Sequence, residues 1–335
     1  MPSITSQELA TASQVTDSTS TATKPLTKSS KHRVRVALSV DFDAISAHLG
    51  TGKHPDNNMA DYSQGIFAGK VGVPRLVKLF NKLGLSEKMT WFIPGHSMET
   101  FPAEVKQIVD SGCEIGLHGY SHEGAYQLTE EQESDVLEKC IDLATKLTGK
   151  KPVGWRAPLY QIRETTIPLL EKHGFEYDSS LTHHDSQPFL LPLHPPIEPP
   201  DFSKPASTWM HPTPLTSSSL TSLVEIPCNW YGEDETPLSY LPHVNNSHGY
   251  VDTRVIEQMW KDRFLWLWEN AGDEGSEEGV NDFIFPICLH PDTSGMAHVI
   301  GMIERMMIWL QSWGEEVQFC RYEDIAKETK GRQTR

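Results

Sequence analysis

Val34-Arg35-Val36-Ala37-Leu38-Ser39-Val40 runs directly into Asp41-Phe42-Asp43. Val34, Val36, Leu38 and Val40 fall on one side of this run. Ala37, Ser39 and Asp41 fall on the other, which is the two-residue period of a strand. The two carboxylates are two residues apart, so on an extended chain they point the same way, beside side chains small enough to leave room. The carboxyl end of a parallel strand is where α/β folds build their sites. A solvated surface turn would carry the same two acids, so the pair gains meaning only alongside other strand ends.

Outward from this run the chain repeats the pattern. Residues 34–40, 89–93, 113–117, 153–156, 223–227, 283–290 and 317–320 read as strands, and 73–83, 102–110, 129–147, 164–173, 252–270 and 298–313 as helices. Pro74 opens the first helix and Gly84 closes it. Thr129 with Gln132 forms a capping box, and Gly149 is a stop signal. This alternation predicts an α/β fold with a mainly parallel sheet or a (β/α) barrel. Residues 185–214 hold nine prolines, which excludes a regular helix or a central strand. They read as a stiff insertion over one end of the fold. Residues 1–30 hold 14 Ser or Thr and too little apolar surface to offset ordering entropy, the composition of a disordered tail. The expected division is a tail over 1–32 and one domain over 33–329.

At 335 residues the chain can bury a core without staples. Its 29 basic and 45 acidic residues give a net charge of −16, which argues against nucleic acid or an anionic membrane as the main partner. The five cysteines stand far apart, contain no Cys-x-x-Cys and are odd in number, so reduced thiols are the simpler reading. No apolar run approaches a membrane span, and no apolar signal-peptide segment is present at the start. A cytoplasmic location and unconventional export both fit that reading.

Further strand ends carry chemistry. The strand 113–117 runs into His118-Gly-Tyr-Ser-His122, two imidazoles able to converge on one metal. With Asp43 they make a three-ligand set that leaves positions open, as catalytic zinc sites do. Iron(II) accepts the same donors, so metal identity stays open. Arg156-Ala-Pro158 ends another strand, and next to a carboxylate cluster its fork can hold one acid ionised. His290-Pro-Asp292 ends a further strand and supplies an imidazole suited to protonating a leaving nitrogen. Trp230 and Tyr231 end a fifth and offer a stacking platform, with core or rim packing as the plain alternative.

Together these motifs resemble the polysaccharide deacetylase family (carbohydrate esterase family 4, the NodB-homology group) from Arg33 to about Lys327. The resemblance implies a single distorted (β/α) barrel and a metal-dependent hydrolase of carbon–nitrogen amide bonds. It implies Asp41 as general base, Asp43, His118 and His122 as metal ligands, and Arg156 as the group that orients the base. It further implies His290 as general acid and Leu289 as part of an acyl pocket. Leu159, through its backbone N–H, Tyr160, Trp230 and Tyr231 would meet substrate. Zinc is the implied metal, with iron or cobalt as alternatives.

The first motif ends in Asp43-Ala44 where the family has Asp-Gly, and Leu159 stands where an aromatic is usual. Asp178-Ser179-Ser180 occupies the fourth motif's place without its Trp. These departures, with Ser63-Gln-Gly65, Val71-Gly-Val-Pro74-Arg75 and the segment from His290 to Gly295, resemble one subgroup. That subgroup holds peptidoglycan-deacetylase-like proteins, cyclic-imide hydrolases, allantoinase-like enzymes and signal-less fungal deacetylases of chitin oligomers. The expected reaction is N-deacetylation of N-acetylglucosamine oligomers. The alternative is opening of a cyclic imide or ureide, and a remote one is a non-catalytic carbohydrate-binding protein. The expected partner is an oligosaccharide or small-molecule substrate. Aromatic helices over 259–268 and 302–313 are candidates for a homo-oligomer interface, with barrel packing as the plainer reading.

Overall fold

β1 (Val34–Asp41) is buried along its whole length, because both of its faces are covered. A computed structural model describes residues 33–50, 58–192, 200–213, 220–240, 249, 251–271 and 282–333. The expected tail over 1–32 and part of the proline-rich insertion lie outside the described residues. The other strands are β2 (Thr90–Ile93), β3 (Glu114–Leu117), β4 (Gly154–Trp155), β5 (Tyr177–Asp178), β6 (Phe189–Pro192), β7 (Leu220–Glu225), β8 (Phe283–Leu289) and β9 (Val317–Cys320). They form one sheet in the order β6-β7-β5-β4-β3-β2-β1-β8, with β9 also on β1. One edge of β1 is divided: Val34–Ala37 pairs with β9, and Ser39–Asp41 pairs with β2. Every pairing is parallel except β6 with β7. β6 lies in the proline-rich stretch and takes the sheet's edge, where a missing N–H is tolerated.

The sheet curls until β8 approaches the β7 end. Chain segments beyond the strands bridge that seam. The Ile284 N–H donates to Ser186 O at 2.9 Å and the Cys288 N–H to Gly232 O at 3.0 Å. Glu233 pairs with Cys288 as an isolated parallel bridge. The result is the expected distorted barrel.

Val34, Val36, Leu38 and Val40 face the larger core, which the surrounding helices complete. Ala37 faces a second core inside the barrel with Phe92, Tyr177, Ile284 and Tyr322. The alternation in the first strand therefore sorts side chains between helix layer and barrel interior. The helix Val73–Leu83 begins with Pro74 near its N-terminus and ends at Gly84, whose φ of 67° suits a residue without Cβ. Glu130–Thr148 carries the expected capping box. The helices Thr253–Asn270 and Ile300–Gln311 pack mainly onto the barrel. Phe264 stands 5.1 and 4.9 Å from Trp309 and Trp313, while Met259, Leu265, Trp266 and Ile308 stay exposed.

The helix Tyr322–Gln333 has no counterpart in the sequence reading. It closes the amino end of the barrel: Tyr322 N–H donates to Thr90 Oγ1 and Glu323 N–H to Glu114 Oε2, each at 3.0 Å. Among the described residues no helix is long and apolar enough to cross a membrane.

Candidate active site

Parallel pairing puts the carboxyl ends of β1, β3, β4, β7 and β8 at one end of the barrel, and with them the residues that the sequence singles out. Arg156, directly after β4, is fully buried. Its Nη1 donates to Asp41 Oδ1 at 2.6 Å and to Ser39 Oγ at 2.9 Å. Nη2 donates to Ser179 Oγ and to the Tyr322 hydroxyl, each at 3.0 Å, and Nε donates to Ser179 O at 3.2 Å. The guanidinium lies 4.1 Å from the centre of the Phe92 ring. Burial would raise the Asp41 carboxyl, but Arg156, with His118 and His290, outweighs it and holds Asp41 below the usual carboxylate range.

Asp43, His118 and His122 converge, each offering a donor atom within 4.8 Å of the others. His118 Nδ1 donates to Arg156 O at 2.7 Å, which leaves Nε2 free to face Asp43 Oδ1 at 3.5 Å and Asp41 Oδ2 at 3.7 Å. His122 Nε2 stands 3.4 Å from Asp43 Oδ2. Burial, with His118 and His290 nearby, pulls the His122 imidazole well below its ordinary range, toward the neutral form that ligates metals. Burial pushes the Asp43 carboxyl up to about 6, and its Oδ1 makes no hydrogen bond. Two imidazole nitrogens and a buried, under-satisfied carboxylate fit a divalent metal with room for further ligands. Glycine-like backbone recurs around this cluster. Among the described residues, the non-glycine positions at positive φ are Ala44, His122, Leu159 and Tyr160, and all border the site, where such strain tends to collect.

His290 follows β8 and faces the cluster, with Nε2 3.9 Å from Asp43 Oδ2 and 3.5 Å from Glu235 Oε2. Its Nδ1 lies 2.8 Å from Asp234 Oδ1. Burial would lower this imidazole, but Glu235, Asp234 and Asp43 raise it well above its ordinary range. Thr293 and Ser294 hydroxyls and the His290 N–H all donate to Asp234 Oδ2. The acidic run Glu233-Asp-Glu235 escaped the sequence reading. Its signal, three successive acids one glycine after the Trp230-Tyr231 aromatics, was there to be found.

Asp41, His118, His122, Leu159, Tyr160, Trp230, Glu233, Glu235 and His290 share one cavity wall. Trp230 meets Tyr160 edge-on at 4.7 Å and remains half-exposed. Two expected substrate contacts stand apart from that wall. Leu289 is fully buried in the helix-side core. Tyr231 is exposed, and its carbonyl accepts from Trp260 Nε1 at 3.2 Å. Asp178-Ser179-Ser180 serves the site from beneath: Ser179 holds Arg156, and Ser180 Oγ accepts the Ala157 N–H at 2.9 Å. A larger groove of about 600 Å³ around Lys88, Phe319 and Arg321 lies near the opposite end, away from this cluster.

Comparison with known proteins agrees with this geometry. The polysaccharide deacetylase family model matches residues 62–177. The chain is 58% identical over 298 residues to the peptidoglycan deacetylase-like protein FGM2 of Gibberella zeae, covering 89% of this chain and 87% of that one. It is 41% identical over 293 residues to a peptidoglycan deacetylase of Helicobacter pylori, covering 88% and 95%. A polysaccharide deacetylase structure from Mycobacterium smegmatis superposes with a TM-score of 0.74 at 22% identity, over 93% of this chain and 96% of that one. The Puue allantoinase structure gives 0.66 at 20%, over 91% and 93%. At these identities the two structures speak to the fold alone. The curated relatives, similar over nearly their full length, decide the family: the chain belongs to the polysaccharide deacetylases of carbohydrate esterase family 4, hydrolases of N-acetyl amide bonds.

Proposed function

We propose that this deacetylase acts on N-acetylglucosamine-containing oligosaccharides, releasing acetate, with Asp41 as base and His290 as acid. One observation carries the reading: Asp41, fixed by Arg156, and His290, fixed by Asp234, face one cavity beside the Asp43–His118–His122 cluster. Asp41 Oδ1 is spent on Arg156, so Oδ2 is the oxygen that takes a proton from the attacking water. Asp43, His118 and His122 would hold a divalent metal, which supplies Lewis-acid polarisation of the substrate carbonyl and a lowered pKa for water. The Leu159 backbone N–H, on a loop bent into the left-handed region, is the candidate donor to the oxyanion. His290 carries the proton to the departing nitrogen, and its carboxylate neighbours keep it protonated for that task. The Trp230–Tyr160 edge offers a face for a sugar ring.

The test is a paired assay on metal-loaded protein. One arm follows acetate release from chitin and peptidoglycan oligomers of several lengths. The other follows ring opening of a cyclic imide and of allantoin. Acetate release from oligosaccharides is the expected result. Ring opening without acetate release would overturn the substrate reading and leave the catalytic roles in place.

A further inference from the structure

Two of the peptide units that link His118 to His122 are held at both ends. On one side the Gly119 carbonyl accepts from Gly95 N–H at 2.9 Å and the Tyr120 carbonyl from His96 N–H at 2.7 Å, both donors lying in the first turn of the helix Gly95–Thr100. On the other side the N–H groups of the same two units converge on one carboxylate. Glu123 Oε1 accepts from Tyr120 N–H at 2.9 Å, and Oε2 accepts from Ser121 N–H at 2.6 Å and from Ser121 Oγ at 2.8 Å. Glu123 is buried and takes no part in the cavity wall that Asp41 and His290 share. It lies behind the loop instead, beside Trp155, Pro158 and Gln161.

These bonds shape the turn that carries the two imidazoles. Gly119 has a φ of 69° and His122 a φ of 59°, a region open to glycine and strained for a residue with a Cβ. At Gly119 the space is also taken, since a Cβ there would lie 3.0 Å from Pro158 Cγ and 3.2 Å from Glu123 Oε1. At His122 the chain doubles back. That reversal brings the next side chain, Glu123, under the N–H groups of residues 120 and 121. The same reversal leaves His122 Nε2 3.4 Å from Asp43 Oδ2.

We propose that Glu123 is the positioning residue of the candidate metal centre, locking the loop from His118 to His122 in the conformation that lets both imidazoles face Asp43. The proposal rests on the metal-cluster part of the reading above and on no particular substrate. Without the carboxylate, two backbone donors lose their acceptor and His122 is released from its strained conformation. The loop must then be re-ordered whenever a metal binds, so affinity falls. Groups that orient metal ligands in this way are worth roughly 10- to 100-fold in affinity. A buried carboxylate at this place has two other roles open to it. A plain contribution to folding would leave metal affinity alone. Attraction of its charge for a cation would survive any substitution that keeps the charge.

The test measures the zinc Kd of the full chain by competition with a chromophoric chelator, for the parent, Glu123→Gln and Glu123→Asp. The Tm of each metal-free chain is recorded beside it. Glu123→Gln keeps the reach and loses one acceptor oxygen. Glu123→Asp keeps the charge and falls one methylene short of the two N–H groups. Both should raise the zinc Kd by roughly 10- to 100-fold, in metal-free chains that still unfold cooperatively. A lowered Tm with the parent Kd in both variants would reduce Glu123 to a folding residue and overturn the proposal. Weak zinc binding in Glu123→Gln with the parent Kd in Glu123→Asp would assign the effect to charge and overturn it as well. If Glu123→Gln does not fold, Glu123→Asp decides alone, and the parent Kd in that variant overturns the proposal. A parent chain that binds neither zinc, cobalt nor iron would contradict the metal cluster and remove this role with it. A parent that binds zinc, weakened in both variants, yet releases no acetate from any oligosaccharide would support Glu123 and count against the deacetylase reading instead.

Discussion

Arg156 shows how much a single side chain organises. A buried guanidinium is costly unless its charge and its donors are all met. Here Asp41 meets the charge, while Ser39, Ser179, Tyr322 and the Phe92 face meet the rest. Asp41 and Arg156 were legible in the sequence because both end strands. Tyr322 was not, and Ser179 stood out only as part of Asp178-Ser179-Ser180 without its contact to Arg156, since a hydroxyl on a neighbouring segment gives no periodic signal. The same blindness hid Asp234, whose partners lie on the His290 loop far along the chain. Its charge raises the His290 imidazole, so Asp234→Asn should lower it. The protonated acid is then lost at lower pH, and the alkaline limb of the kcat–pH profile should move down by ~1–3 units. A limb that stays in place would exclude Asp234 as the group that tunes His290.

At the scale of elements, regular strands and capped helices were readable, and short or polar pieces were not. β5 is two residues long, too short to show alternation, whereas β4, equally short, falls within the strand read over 153–156. Tyr322–Gln333 buries Tyr322, Ile325 and Ala326 but is otherwise polar, so its apolar stripe spans barely one turn. The segments around Gly72 and Gly295 stood out in the sequence, and packing gives the reason. A Cβ on Gly72 would lie 2.1 Å from Pro291 O, beside the His290 loop. Gly72→Ala should displace that loop and cut activity by roughly 10- to 100-fold, while metal content stays at the parent level. Loss of metal along with activity would show a wider collapse than this packing predicts.

Glu114, at the start of β3, accepts from Thr90 Oγ1 at 2.6 Å, from the Tyr177 hydroxyl at 2.8 Å and from Glu323 N–H. Burial pushes it up to about 7. Its folded-state pKa is raised, so its contribution is fully present below the unfolded value of ~4.3 and is lost as pH rises through about 7. Glu114→Gln keeps an amide where the protonated acid stood. It should be the more stable protein at pH ~8.5, with a smaller change in Tm between pH ~5 and ~8.5. An unchanged pH dependence of Tm would remove Glu114 as its source.

For the whole molecule, strand polarity does the assembling. Parallel pairing brings residues as far apart in sequence as Asp41 and His290 to one end of the barrel, and the helix Tyr322–Gln333 closes the other. That is why five ambiguous motifs, each at a strand end, could be read as one site before any contact was known. The acidic lining at Glu233 and Glu235 comes from the barrel's seam, where the chain meets itself without a full strand pair, and no pattern along the sequence reports a seam.

The central claim is that Asp41 is the base of a metal-dependent deacetylase, distinct from the residues that hold the metal. The measurement that tests it most directly is acetate release and metal content on Asp41→Asn beside His118→Ala. Asp41→Asn should keep its metal and lose ~10²- to 10⁴-fold in rate, while His118→Ala loses both. An Asp41→Asn protein that deacetylates at the parent rate would contradict the account.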